Sequence, residues 1–561
     1  MCADHLRVVL CWHMHQPEYR DPTDGEFLAP WTYLHVLKDY VDMAAHLESA
    51  PEAVRAVVNF PPVLLEQIVD YAERVRAALD TGTDVGDKLL SSLLKPDLPA
   101  ELEQRRALLQ RCLHAQEQNM VARFPAFARL AAMTRTALEI ESGPDYLGDP
   151  LLADLLTWYH LAWLGETVRR SDQRVRTLMD KEHGYTADDR RELVKVIAEL
   201  LAGVIPRYNA LAASGRVELS TSPYAHAMLP LLIDFAAARE ARPDTALPNA
   251  ENYPGGHERA AWQLARAIAY CNGHFAARPP GCWPSEGGVS ARSLELIGRH
   301  GFAWTASGQA VLRHSLKSDH PDSDALHRPY RLDQTDTVCF FRDDELSDLI
   351  GFHYKDWHGD DAVADLVHRL ERIAGEGEPG RVVAIILDGE NPWEHYPDNG
   401  IHFIPALYQA LLANKALKLT TFSDCVNDAA VPVRPLPKLV AGSWIYGDFG
   451  TWIGDPDKNR AWDLLCEAKR VCDRKMAQID DAALRGAIER QLGICEGSDW
   501  FWWFGDYNPA DTVTEFDTLY RRQLAALYRL LDEPEPASLA EAVSHGHGRP
   551  ELGGTMRRGS E

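Results

Sequence analysis

Residues 382–397 read VVAIILDGENPWEHYP, and this stretch decides the fold. The apolar run from Val382 to Leu387 reads as a strand buried on both faces, as in parallel sheets covered by helices. The run ends in Asp388, followed by Gly389 and the Pro392-Trp393 dipeptide. A carboxylate at the C-terminal end of a buried strand sits where barrel and open α/β enzymes carry their catalytic groups.

Working outward, six further stretches read as strands: Leu6–Trp12, Val54–Phe60, Arg216–Thr221, a short one before Trp283, Phe302–Thr305 and Val338–Phe341. Helical periodicity fills much of the space between them, for example over Val63–Leu79, Glu258–Tyr270, Val289–Arg299 and Asp361–Ala374. Strands alternating with helices predict an α/β fold with a mostly parallel sheet. With about seven strands, a closed and somewhat irregular barrel is favoured over an open sheet. Most candidate strands are followed by a distinctive residue: His13, Asn59, Ser222, Glu286, Arg342 or Asp388. A barrel would gather these at one rim.

Two regions depart from the alternation. Residues 61–215 carry helical patterns without a clear strand and read as an insertion into a barrel spanning 1–420. Residues 421–531 carry helices at Asn459–Lys475, Ala482–Leu492 and Asp511–Leu531, expected to form a helical C-terminal domain that closes the cleft. Residues 532–561, with PEPA, HGHGRP and GGTMRRGSE, read as a disordered tail.

The 561-residue chain is 46% hydrophobic and 25% charged, an ordinary globular composition, and is long enough for one to three domains. Its net charge of −25 disfavours nucleic acid and anionic lipid as partners, whereas a neutral glucan meets no charge penalty. No segment is read as reaching transmembrane length, and the apolar run Val8–Trp12 is too short for a signal core. The ten cysteines are scattered, without Cys-x-x-Cys, and predict free thiols in a reducing cytoplasm. Oligomeric state is not legible.

Glu286 in GCWPSEGG is the second acid of interest. Held between Pro284 and two glycines, it is fixed in direction, as a nucleophile approaching one face of a sugar must be. The competing reading is a first-turn Glu for the helix near Val289. Asp388 beside Trp393 suits a proton donor whose pKa is raised by burial. Glu390 reads as an orienting group, and Glu394 as solvent-facing. Two carboxylates among Trp and His are the usual equipment for cutting or moving a glycosidic bond. Both families of chemistry work without metal or organic cofactor. His13 and His15 alternate and so share a face of an extended chain, suiting either sugar hydroxyls or a metal. His226 follows the strand of GRVELSTSPYAH, where a capping role for Ser220 and Ser222 competes. Arg342 could pair with Asp388 or Glu286, or form a structural salt bridge. Trp357 is a candidate stacking platform. The aromatic run in EGSDWFWWFGDYN brings Asp499, Trp500 and Trp503, readable as a sugar wall or a domain interface, and GSWIYGDFGTWIGDPDKNRAW (442–462) is expected nearby.

Taken in order, HMHQPEY, ELSTSPYAH, WPSEGG, LDGENPW and SDWFWWFGD resemble the five conserved regions of glycoside hydrolase family 57, over residues 6 to 530 or so. The resemblance implies an incomplete (β/α)7 barrel with a helical C-terminal domain and a retaining mechanism on α-glucans or maltooligosaccharides. It implies Glu286 as nucleophile and Asp388 as general acid/base. It implies His13, His15 and His226 in the donor subsite, with Trp357, Asp499, Trp500 and Trp503 at matching positions. LDGENPW and WFWWFGD look most like the amylopullulanase and α-amylase branch; Gly287 and Gly288 depart from many members. A 4-α-glucanotransferase or branching-type transglycosylase is the nearest alternative. A metal-dependent hydrolase or deacetylase using His13, His15 and Asp388 is the alternative from another class.

Overall fold

The structure, a computed structural model, describes residues 5–317 and 323–548. Among the described residues ten strands occur in chain order: β1 (Leu6–His13), β2 (Ala56–Asn59), β3 (Val217–Ser220), β4 (Gly281–Cys282), β5 (Trp304–Ser307), β6 (Tyr330–Arg331), β7 (Val338–Phe341), β8 (Val382–Asp388), β9 (Leu417–Thr420) and β10 (Arg434–Pro435). Seven of them form the barrel. β3, β2, β1 and β8 pair in parallel, as do β4, β5 and β7. The two sheets are joined by parallel bridges, Thr221 to Cys282 and Arg342 to Ala384, which close the ring. The fold is the expected (β/α)7 barrel.

β6, β9 and β10 were not anticipated. β9 pairs with β1 at Leu6–Val9, below the point where β2 takes over at Cys11–His13, so one edge of β1 serves two partners. β6 pairs antiparallel to β7 and carries β10 on its other edge. Strands of two residues have too short a pattern to be read from periodicity.

Strand side chains alternate between two cores. Leu6, Val8, Leu10 and Trp12 of β1 and Val383, Ile385 and Leu387 of β8 face the surrounding helices. Val9, Cys11, Val57, Trp304, Ala306, Val338, Phe340, Val382, Ala384 and Ile386 fill the barrel interior. Both faces are buried, which explains the uninterrupted apolar runs.

Between β2 and β3 the chain is helical, from Pro62–Thr81 to Ala187–Ala213. By length and composition the latter, 27 residues, meets the criterion for a membrane span, contrary to the sequence expectation. It packs against Pro62–Thr81, and its buried Arg190 donates to the carbonyls of Ser92, Leu93, Lys95 and Pro96. One face of it is buried in the protein, with Leu193, Ile197, Leu201, Val204 and Tyr208 among the residues on it. After β10, helices Pro456–Met476, Ala482–Cys495 and Ala510–Leu530 pack on one another.

The disordered tail needs correction. Residues 532–548 lie against helix Ala510–Leu530: Leu539 and Val543 are buried, and the Val543 and Ser544 N–H groups donate to Asp517 Oδ1. The apolar residues are sparse, but a buried carboxylate supplies the backbone partners that polar composition hides. Residues 549–561 lie outside the described residues.

Candidate active site

Parity carries four side chains to the barrel rim. With Cys11, Val57, Phe340 and Ile386 pointing inward, the residues two positions on, His13, Asn59, Arg342 and Asp388, point inward as well. Register does the rest: His13 is level with Asn59 on one side and with Asp388 on the other. Gly389 stands where the chain turns over β1, and a Cβ there would press on the buried Met14 side chain, which would have to shift.

Glu286 follows β4 in a single turn and has φ 58°, ψ 25°, the left-handed region that non-glycine residues rarely occupy. Such strain persists only where neighbours enforce it and tends to collect at functional sites. Here Trp444 enforces it. Its backbone N–H donates to the Glu286 carbonyl at 3.0 Å, and its indole Nε1–H donates to Glu286 Oε2 at 3.0 Å. The Ser307 hydroxyl holds the next carbonyl, that of Gly287, at 2.6 Å. The first-turn reading of Glu286 fails, because helix Ala291–Arg299 is capped by Ser290 in a reciprocal pair with Ser293.

The three histidines stack. Ring centroids of His15 and His226 are 3.8 Å apart and those of His13 and His226 5.2 Å. His13 Nδ1–H donates to Asn59 Oδ1 at 2.7 Å, which leaves Nε2 as the acceptor in the neutral ring. Burial first, then the neighbouring His15, pushes the His13 pKa down to about 3, and burial drives His226 well below the usual imidazole value. Ser220 and Ser222 serve Asn59, one accepting from its amide and the other donating to it, rather than capping a helix.

The stretch 496–499 locks onto this cluster. Ser498 N–H donates to the His226 carbonyl, Ser498 Oγ meets His226 Nδ1 at 3.0 Å, and Asp499 Oδ1 meets His15 Nε2 at 2.8 Å. Glu496 anchors the stretch, buried against Arg259 at 2.6 Å and the Tyr253 hydroxyl at 2.7 Å.

Asp388 retains a little accessible surface in the cavity but is otherwise enclosed by protein. Burial raises its pKa to about 6; the Asn391 amide, donating to Oδ2 at 3.0 Å, and more distantly His15 and Arg342 pull the other way. Glu390 is buried beneath, accepting from the His15 backbone N–H at 3.0 Å.

Glu286 and Asp388 line one cavity of about 100 Å³, together with His13, His15, His226, Arg342, Asp499 and Trp503. Three expected contacts are not among its lining. Trp393 is buried behind the turn, edge-on to Trp12, with Nε1 donating to the Gly389 carbonyl. Trp500 is buried in the C-terminal helices, its Nε1 donating to the Ile494 carbonyl. Trp357 stands 46% exposed beside Tyr354. Arg342 lines the cavity, yet its guanidinium is spent on Asp344 at 2.8 Å, Asp348 at 2.6 Å and the Ile386 carbonyl, not on either candidate acid. Gln16, Tyr19, Trp444 and Trp502 also line the cavity and were not singled out. Only the GSW stretch had been expected nearby, and nothing in its pattern marked Trp444.

A cleft of about 1660 Å³ adjoins the cavity through Gln16, Tyr19, Asn391 and Trp503. One wall is the helical insertion, with Leu108 and Arg111; the other is helix Ala510–Leu530, with Glu515 and Phe516; Trp31 lies between. Among the described residues, the group spaced to hold a metal ion is His15, His226 and Asp499, not the expected His13, His15 and Asp388.

Residues 9–437 match the sequence profile of Glycosyl hydrolase family 57. No curated protein matches the chain. Solved structures similar to it include a family 57 branching enzyme from Thermococcus kodakaraensis, at 16% identity and TM-score 0.57, covering 96% of this chain and 93% of that one. A novel alpha-amylase from Thermotoga maritima gives 14% identity and TM-score 0.55 over 94% and 93%. A 4-alpha-glucanotransferase from Thermococcus litoralis gives 11% and TM-score 0.52, over 94% of this chain and 60% of that one. At these identities the structural likeness speaks for the fold alone, but the profile spans most of the sequence: the chain belongs to glycosyl hydrolase family 57.

Proposed function

We propose that this family 57 enzyme is a retaining glycosidase acting on α-glucans, cleaving α-1,4 and in some substrates α-1,6 bonds. The observation that carries the reading is Glu286 and Asp388 lining one cavity in different surroundings. Glu286 is strained and fixed by the Trp444 indole, whereas Asp388 is enclosed and raised to about 6. Such a split in environment separates a nucleophile from a proton donor.

In the first step a Glu286 carboxylate oxygen attacks the anomeric carbon. The bond to the glycosidic oxygen breaks, and Asp388 gives that oxygen its proton. In the second step the Asp388 carboxylate takes a proton from water, whose oxygen attacks the same carbon and releases Glu286. Retention requires the two carboxyl groups roughly 5–5.5 Å apart. Neutral His13, with Nε2 as acceptor, suits a hydroxyl of the sugar unit held between the acids. The adjoining cleft favours a chain of several units over a disaccharide, because it supplies room and aromatic faces beyond the point of cleavage.

The alternative in which a sugar hydroxyl replaces water rests on that same cleft, which could hold an acceptor chain. Incubation with maltoheptaose and with pullulan tests both: shorter products alone mean hydrolysis, longer ones transfer, and unchanged substrates with glucans of every linkage would end the proposal. Glu286→Gln should remove turnover without changing the melting temperature. Near-wild-type rates in that variant would refute the assignment of the nucleophile. Nine described cysteines are free and buried, which agrees with a proposed reducing, cytoplasmic setting.

A further inference from the structure

Glu390 lies two residues beyond Asp388, lines the same cavity and is 1% exposed. Its Oε1 accepts the His15 backbone N–H at 3.0 Å, while Oε2 is buried with no hydrogen-bond partner. Among the described residues no ion pair reaches it. The charged and titratable groups that face it are mostly anionic or neutral. Asp388 is on its own loop, and His15 stands on the end of β1. Asp39, on the adjoining helix Val36–Tyr40, is already held by Lys38 and His35. Tyr19, Tyr40 and Tyr208 lie around it. The His15 N–H and the Gln16 side chain favour the anion, but with no cation paired to it a carboxylate here would still be a buried net charge, a state proteins avoid by keeping the proton.

We propose that Glu390 is a positioning residue that works as a neutral carboxylic acid, tying the His13–His15 segment to the Asp388 turn without adding a further negative charge beside Asp388. Burial, and then the Asp388 charge, holds its proton on well above the usual carboxylate range. Neutrality matters for the proposed chemistry because an anion here would raise Asp388 further and leave it too weak an acid to surrender its proton. The turn matters because β1 and β8 are paired up to His13 and Asp388, with the Gly389 N–H on the His13 carbonyl, and Glu390 carries that tie one step further, to His15. The kinetic consequence rests on the retaining reading; the protonation state does not.

The test therefore has two arms. Infrared difference spectra at pH 8, where Asp388 has ionised, taken with and without Glu390→Gln, should show the C=O stretch of a protonated carboxyl that Glu390→Gln removes. Its absence at pH 8 overturns the proposal whatever the enzyme's substrate. In the kinetic arm, Glu390→Gln should leave kcat/KM within about threefold of wild type, as a neutral isostere allows. Its alkaline pH limb should stay in place. Glu390→Asp, which withdraws the carboxyl by one methylene, should lose about 10²-fold in kcat as the segments shift. A Glu390→Gln limb displaced to lower pH would mean that a neighbouring anion had been removed. Wild-type rates in Glu390→Asp would mean that nothing is positioned. Either result refutes the assignment.

Discussion

Asn391→Leu should move the alkaline limb of the pH–rate profile upward. Asp388 as proton donor must be protonated in the free enzyme, so kcat/KM should fall above the Asp388 pKa of about 6. The Asn391 amide donates to Asp388 Oδ2 at 3.0 Å and favours the anion. A hydrogen bond to a charged group is worth about 1.5–3 kcal/mol when buried. Asn391 is half-buried and borders the open cleft, so the lower end applies after screening. Losing about 1.4 kcal/mol raises the pKa by about one unit, taking the limb from about 6 to about 7. Leucine keeps the volume and supplies no donor. The assay is kcat/KM between about pH 4.5 and 9 on an aryl maltooligoside, with a leaving group that needs protonation. A limb that stays near 6 or moves to lower pH would refute the reasoning, either because the bond does not favour the anion or because Asp388 is not the titrating acid. Stability carries the same sign from the other side. Since the folded pKa is raised from 3.8 to about 6, the folded state holds its proton longer than the unfolded chain. Stability is undiminished below about pH 3.8, declines as pH rises to about 6, and is lower by about 3 kcal/mol above that.

Asp388→Asn, which cannot ionise, should accordingly match wild type in denaturant midpoint at pH 3.5 and exceed it at pH 7, while turnover is lost; equal midpoints at both values would contradict the raised pKa. Trp444→Phe keeps a ring beside Arg342 and Trp283 but removes the indole donor to Glu286 Oε2. It should lower kcat/KM about 10- to 100-fold, the worth of one charge-assisted hydrogen bond, and an unchanged value would show that the bond does not serve the nucleophile. Arg259→Met leaves Glu496 buried without its cation and should cost about 3–5 kcal/mol in urea titration. Because Glu496 anchors the stretch bearing Ser498 and Asp499, KM for maltooligosaccharides should rise as well, and a stable variant with unaltered KM would detach that stretch from the site.

Six of the seven barrel strands were legible from the pattern of neighbouring residues, whereas the two-residue β4 was placed only as a short strand before Trp283. The same period places His13, Asn59, Arg342 and Asp388 on the inner face once the residues before them are known to fill the barrel. What escaped was direction in the loops. Trp393, Trp500 and Trp503 look alike as aromatics in Gly/Pro-rich strings, yet two are buried behind the site and one lines it. Arg342 offered two acids in sequence terms and found two others, Asp344 and Asp348, within its own turn. The tail was misread for a related reason, since its order comes from Asp517, a partner on a distant helix.

Local chemistry alone therefore determined the longer barrel strands, the inward-facing strand ends and the identity of the two acids as candidates, because alternation along a strand needs no knowledge of the rest of the chain. The tertiary structure decided which indole grips Glu286, which His13 nitrogen is left free of Asn59 and how tightly Asp388 keeps its proton. Those depend on Trp444, Asn59 and the enclosing walls, groups 158 and 46 residues away or scattered through the fold, and only packing sets the distances over which hydrogen bonds and burial act.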